Sequence, residues 1–361
     1  MLAQWPDAGR LLVIRLDASG DVLMCTPALH ALNQAGHEIS LLTSAAGALV
    51  GKRCDAVRDV LIFDSPWMKN AAAADLSATR RIADRLQAQA FDGAVIMQSY
   101  SQSPLPAAML CHLAGISRQL AYCRENPYQL ISDWRPESEP ESLCRHEVRR
   151  QLDLVSSLCV SSSDTPLQLT LTDDDQDAAT SALAQLGLAD GQDFLLVHPG
   201  ASAVSRRYPL ESLGVVMTQL DRESGLPLVL AGSAVDQAAL SALSAAAGTA
   251  CAGIVNWLDF GGLAAMIGKA RLVIANNSAP AHLAAAMQTP VVVLYALTNP
   301  QHTPWQVPSR VIFKSVPCAP CYRSLCPLGH HACLAGVMPW EVTAAALELL
   351  KATEAVQKRF S

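Results

Sequence analysis

"RLLVIRLDASGDVLMCTPALHALNQAG", residues 10–36, decides the fold. The run 10–17 is too apolar for a strand with one wet face. It reads as a strand buried on both sides, as in a parallel sheet covered by helices. A Gly-containing turn follows, and "TPALHALNQAG" (26–36) then reads as a helix. Thr26 is its expected N-cap, Pro27 its first residue and Gly36 its stop.

The same alternation runs outward from this unit. "HEISLLTS", "AVRDVLIFD" and "FDGAVIMQS" are further strands, and "SPLPAAMLCHLAGI" carries another helix. The polar, Pro-containing "SDWRPESEPESL" (132–143) reads as an exposed loop, and "RHEVRRQLDLVSSL" (145–158) as a helix. Residues 166–193 read as an interdomain connection whose helix is N-capped at the acidic run. A second set follows: strands "FLLVHPG", "PLVLAGS", "RLVIANN" and "VVVLYA", with helices near 209–223, 236–247, 261–269 and 278–287. The final "PWEVTAAALELLKATEAVQKRF" is a long amphipathic helix. The pattern predicts an α/β protein with two Rossmann-like, doubly wound domains.

At 361 residues and 51% hydrophobic, the chain can bury two cores. A net charge of −6 argues against a broad nucleic-acid surface but leaves room for a local basic pocket. The opening residues lack the pattern of a secretory signal, and no apolar run approaches the ~18–20 residues of a membrane span. A cytoplasmic location is therefore expected, where most of the 11 cysteines would stay reduced. Seven of them (Cys25, Cys54, Cys111, Cys123, Cys144, Cys159, Cys251) are scattered and read as small buried hydrophobes.

In open parallel sheets, ligands bind beyond the carboxyl ends of the strands. Three loops in such places carry chemistry. In "RLDASGDVL" (15–23), Gly20 permits a tight turn and close backbone approach, with Asp17, Ser19 and Asp21 around it. Asp21 either caps the next helix or faces a cleft as a general base. In "HPGASAVSRRYP" (198–209), a Pro-Gly turn at Gly200 leads to Arg206 and Arg207. Paired guanidiniums beside turn amides suit a diphosphate, a solvated basic turn being the other reading. In "ANNSAPAHLAAAM" (275–287), Asn277 or Ser278 N-caps a helix whose first amides form an anion site. His282 lies in its first turns, in a structural or a binding role. Neither half shows GxGxxG at a strand–helix junction and no GxxxxGK[ST] occurs, which disfavours dinucleotide and P-loop readings and an oxidoreductase or epimerase.

A fourth cluster is separate. Cys318-x2-Cys321-x4-Cys326-x6-Cys333, with His330 and His331 inside it, is a compact soft-ligand set. Such a set suits tetrahedral Zn or Fe, with unligated thiols or a disulfide as the alternatives.

Taken together, the three loops resemble glycosyltransferase family 9, the heptosyltransferases of lipopolysaccharide core assembly. Residues 14–32, "IRLDASGDVLMCTPALHAL", are similar to the family opening "IRLDxxGDVLxxTPALxAL". "HPGASAVSRRYP" resembles "HPGAxxxxKRWP", with Arg206 at the usual lysine and Tyr208 at the usual Trp. Residues 276–300, "NNSAPAHLAAAMQTPVVVLYALTNP", resemble "NDSGPxHLAAAxGTPVVxLYGPTxP". Asn277, Ala279 and Ala296-Leu297 depart from that pattern, which loosens the inference about the donor.

The resemblance implies a GT-B architecture, with two Rossmann-like domains facing a central cleft. Its parts would be an acceptor-binding domain, 1–172, and a nucleotide-sugar domain, 173–338, holding the Cys-rich segment. Helix 339–361 would pack back on the first domain. The implied reaction is inverting, metal-independent transfer of heptose from ADP-heptose to a lipopolysaccharide core or related glycan, with no cofactor for transfer. Asp21 is the implied base and Arg206 the implied cation on the departing diphosphate. Gly200, Arg207, Asp236, Asn277, Ser278, Ala279, His282 and Thr298 would lie on the donor side, and Asp17, Ser19 and Gly20 on the acceptor side. Some family members carry a cysteine-based iron finger, so the Cys cluster would be a structural Zn or Fe site. Two variants stand beside this expectation: a protein acceptor of the autotransporter type, and a non-catalytic nucleotide-sugar or glycan binding module. A lipid-linked acceptor would call for peripheral contact with the cytoplasmic face of the inner membrane, and an oligomer is compatible with all of these.

Overall fold

The computed structural model describes residues 5, 9–68, 75–158, 160, 163–248, 251–296 and 300–360, with side chains up to 354. The chain divides into two compact units, Met1–Thr170 and Leu171–Ser361.

The first unit holds strands β1 (Arg10–Arg15), β2 (Glu38–Thr43), β3 (Val57–Ile62), β4 (Gly93–Ile96), β5 (Gln119–Cys123) and β6 (Asp133–Pro136). Its helices are α1 (Ser19–Leu23), α2 (Thr26–Gln34), α3 (Ala45–Gly51), α4 (Leu76–Gln89), α5 (Leu105–Leu113) and α6 (Glu147–Ser156). All strand pairings are parallel, in the order β3-β2-β1-β4-β5-β6. Leu11, Leu12, Val13 and Ile14 of β1 are fully buried, as a strand covered on both faces requires. On one face Leu12, Ile14, Leu42 and Ile96 pack with Leu86 of α4 and Leu110 of α5. The strand order turns back between β1 and β4, so the loops after these two strands flank a topological switch point.

Two readings of this half need correction. The segment 132–143 is not simply an exposed loop. Asp133–Pro136 is the edge strand β6, anchored by Trp134, whose indole N–H donates to Cys123 O at 2.8 Å, and Glu139 is fully buried. Pro136 is tolerated because an edge strand has one ladder without a partner. Thr26 starts α2 rather than capping it, and its hydroxyl donates to Leu23 O.

The second unit opens with α7 (Asp173–Gln185), entered through a capping box between Thr172 and Asp175. There follow β7 (Leu195–His198), α8 (Leu210–Ser224), β8 (Leu228–Ala231), α9 (Gln237–Ala247), β9 (Cys251–Val255), α10 (Phe260–Lys269) and β10 (Leu272–Asn276). The chain ends with α11 (Ala279–Ala286), β11 (Val291–Leu294), β12 (Ser309–Ile312), α12 (Ala332–Ala335) and α13 (Pro339–Phe360). The parallel order is β12-β11-β10-β7-β8-β9, with its switch point between β7 and β10. Leu195, Val197, Leu230 and Ile274 meet Val216 and Leu220 of α8, Leu240 of α9, and Val342, Ala346 and Leu349 of α13. Helix α13 thus packs beside α8 and contributes to this unit's core. No helix among the described residues is long and apolar enough to cross a membrane.

Candidate active site

In the first unit the site is built around a charge at the end of β1. The Arg15 side chain has no solvent exposure. Its Nε stands 2.7 Å from Asp17 Oδ2, its Nη2 3.3 Å from Asp21 Oδ1, and its Nη1 2.7 Å from Glu147 Oε1 of α6. Nη1 also donates to Met97 O, just past β4, at 3.0 Å, so one side chain spans both edges of the switch point. Burial works against the Arg15 charge, but the surrounding carboxylates outweigh it and hold the guanidinium protonated. Glu147 accepts further from Gln151 at 2.8 Å and faces Arg150 at 3.6 Å, and Arg150 pairs in turn with Glu137. A buried charge needs such a closed set of partners.

Asp17 and Asp21 differ in setting. Asp17 is nearly buried and accepts from Gln102 Nε2, and burial pushes its carboxyl up against the pull of Arg15. Asp21 lies in the first turn of α1 with a quarter of its side chain exposed, where the helix dipole favours a negative charge. Asp21 is therefore the more open carboxylate of the two, held from behind by Arg15. Ser19 is half-buried at the start of α1, and Gly20 lies within that helix and not at a left-handed turn. Beneath them, burial pushes the Cys25 thiol up to about 12, so it stays neutral.

In the second unit the loops after β7 and β10 are tied by a buried residue, Asn276. Its Nδ2 donates to Pro199 O at 2.6 Å and its Oδ1 accepts from Tyr208 N at 3.1 Å. Ser278 is the N-cap of α11, but its hydroxyl reaches sideways, 3.3 Å from Gly200 O. Helix α11 begins beside Gly200 with first-turn amides that lack intrahelical partners. A Cβ on Gly200 would fall 2.9 Å from Asp236 Oδ1 and 3.0 Å from His198 Cε1, so only glycine allows this approach. The other oxygen of Asp236 is held by the backbone N–H and hydroxyl of Ser233. Arg207 is exposed and donates to Ala201 O at 2.8 Å. Arg206 is half-buried, and its Nε is shielded from solvent without a hydrogen-bond partner among the described residues. Asn277 and His282 are buried, Ala279 is half-exposed, and burial lowers the pKa of His198. Thr298 lies outside the described residues.

Of the expected residues, Gly200 thus lies beside both Asp236 and Ser278, with Arg206 and Arg207 on the same loop. Asp17 and Asp21 share one guanidinium. Arg15, Glu147 and Asn276 escaped the sequence reading. The available signal for Arg15 was a cation inside an otherwise apolar strand.

The Cys-rich segment gives a different result from the one expected. Cys318, Cys321, Cys326 and Cys333, with both histidines, line one cavity of about 20 Å³, and none of the four is in a disulfide. Amide N–H groups, that of His331 first, lower the Cys326 pKa, while burial and the neighbouring thiols raise that of Cys333. Yet no three His, Cys, Asp or Glu side chains among the described residues are arranged to hold a metal ion. The expected Zn or Fe ligand set does not fit this geometry.

Lipopolysaccharide heptosyltransferase 1 of Pseudomonas aeruginosa is 27% identical over 338 residues, covering 88% of this chain and 87% of that protein. Lipooligosaccharide heptosyltransferase 2 of Campylobacter jejuni is 35% identical, but over 82 residues that make up 22% of this chain and 26% of that protein. Among solved structures, a family 9 glycosyltransferase from Veillonella parvula superposes with a TM-score of 0.80 at 19% identity, covering 95% of this chain and 98% of that one. The ADP-heptose lipopolysaccharide heptosyltransferase II of E. coli gives 0.73 at 20% identity, covering 96% and 99%. These superpositions establish the two-Rossmann α/β fold of the GT-B class. The family model for "Glycosyltransferase family 9 (heptosyltransferase)" matches residues 79–332. The chain belongs to glycosyltransferase family 9 and is a glycosyltransferase of the heptosyltransferase type.

Proposed function

We propose that the protein transfers heptose from ADP-heptose to a lipopolysaccharide core or related glycan, with inversion at the anomeric carbon and without a metal ion. The observation that carries this reading is Arg206, whose Nε is buried and has no hydrogen-bond partner among the described residues, on a loop tied through Gly200 to the N-terminus of α11. A guanidinium on the loop that meets the N-terminus of α11 would make, with that helix's first-turn amides, a diphosphate site of protein groups alone. Arg206 then neutralises the charge that develops on the leaving group, the role a divalent cation plays elsewhere.

In the step itself, the acceptor hydroxyl oxygen attacks the anomeric carbon from the face opposite the diphosphate. Asp21 takes the hydroxyl proton, the bond from the anomeric carbon to the diphosphate oxygen breaks, and ADP departs. Arg15 keeps the Asp21 carboxylate aimed and charged until the proton arrives. On this reading the first unit takes the acceptor and the second the donor, with Asp236 and Gly200 beside the nucleotide. A lipid-linked acceptor then requires only peripheral membrane contact. The ADP-heptose named for the E. coli relative supports the choice of donor.

The test is mass spectrometry of products after incubation with ADP-heptose and a panel of lipopolysaccharide-core, glycan and protein acceptors. A mass increase of one heptose on a core acceptor is expected. Binding of ADP-heptose without transfer to any acceptor would overturn the reading in favour of a binding module.

A further inference from the structure

The Cys-rich segment has no part in the transfer just described, yet it grips the loop that does. Arg206 and Arg207 sit between two side chains that both reach into the C-terminal part of the second unit. On one side Ser205, which is buried, donates its hydroxyl to Ser324 O at 2.6 Å and lines the cavity shared by the four cysteines. On the other side Tyr208, also buried, donates its hydroxyl to Val337 O at 2.8 Å. The held segment is itself moored: Lys314 N donates to Cys333 O at 2.8 Å, and Lys314 Nζ pairs with Glu341 of α13 at 2.7 Å.

The two anchors flank the arginine pair immediately on each side. Between them Arg206 donates its backbone N–H to Ala203 O and its Nε has no partner among the described residues, which leaves the flanking anchors to set where its guanidinium points. We propose that Ser205 and Tyr208 are positioning residues, and that the 318–337 segment is a bracket holding Arg206 ready for the diphosphate of a nucleotide. This rests on the reading of Arg206 given above. It gives the segment that carries the cysteine cluster a mechanical task independent of any metal, through Ser324 O and Val337 O.

Calorimetric titration of the full chain with ADP and with adenosine tests the proposal, because adenosine lacks the phosphates that Arg206 would meet. Loss of one hydrogen bond predicts that Ser205→Ala weakens ADP binding about 3- to 10-fold and leaves adenosine binding unchanged. Tyr208→Phe should act in the same direction. In an Arg206→Ala background, Ser205→Ala should cause no further loss, since both act through one group. Equal loss for adenosine, additivity with Arg206→Ala, or unchanged ADP affinity in both positioning variants would each overturn the bracket. If Arg206→Ala itself leaves ADP affinity unchanged, the phosphate reading falls and the bracket with it. If that variant weakens ADP binding while Ser205→Ala and Tyr208→Phe do not, only the bracket falls.

Discussion

Asp21 and Arg15 form a pair in which one member was visible in the sequence and the other was hidden. A carboxylate after a glycine at a strand end announces itself, whereas a cation in "LLVIRL" looks like an interruption of a core strand. Its meaning comes from α6, more than a hundred residues away, which brings Glu147 to it. With Asp21 as the base, Asp21→Asn should lower kcat by about 10²–10⁴-fold with little change in KM for the donor, as steady-state kinetics would read. Residue chemistry also sets a pH dependence. Burial lowers the pKa of His198, so its folded value lies below the unfolded one. The unfolded state then binds the extra proton first, and stability is lost as pH falls below about 6.5. Thermal melts should show a fall in Tm between about pH 7 and about pH 5 that shrinks in His198→Gln. His30 and His37, lowered by burial in the first unit, act in the same sense and leave part of the slope behind.

Elements were legible in proportion to how deeply they are buried. β1, β7, β10 and β11 are apolar on both faces and stand out as runs. β6 is an edge strand with Asp133, Arg135 and Pro136, so its composition is that of a loop and only its pairing with β5 makes it a strand. The N-terminus of α7 was readable because its capping box is local chemistry. The Cys-rich segment shows the opposite limit: spacing identified which side chains gather, but their arrangement around the cavity depends on packing that no spacing encodes. Helix α6 is the element whose sequence understates its task, because Glu147 and Arg150 look like ordinary surface charges and are buried. Glu147→Ala should therefore destabilise the first unit by about 3–5 kcal/mol in denaturant titrations, since it leaves Arg15 and Arg150 without a shared partner.

At the scale of the molecule, each unit has its own sheet and core, and the two should lose structure in separable steps. ADP at about 100 times its Kd should stabilise only the transition of the second unit, by about 2.7 kcal/mol. Differential scanning calorimetry with and without ADP reads this directly; a shift confined to the first unit's transition would contradict the assignment of the donor side. The sheet orders carry one more consequence. Counted from its own first strand, β12-β11-β10-β7-β8-β9 is the order of the first sheet read backwards. The two halves are therefore the same topological frame used twice. In both, the segment after the opening strand carries a pair of like charges: Asp17 and Asp21 in one copy, Arg206 and Arg207 in the other. A single structural slot has been filled with opposite signs; on the proposed reaction, one frame would accept a proton and its twin hold an anion.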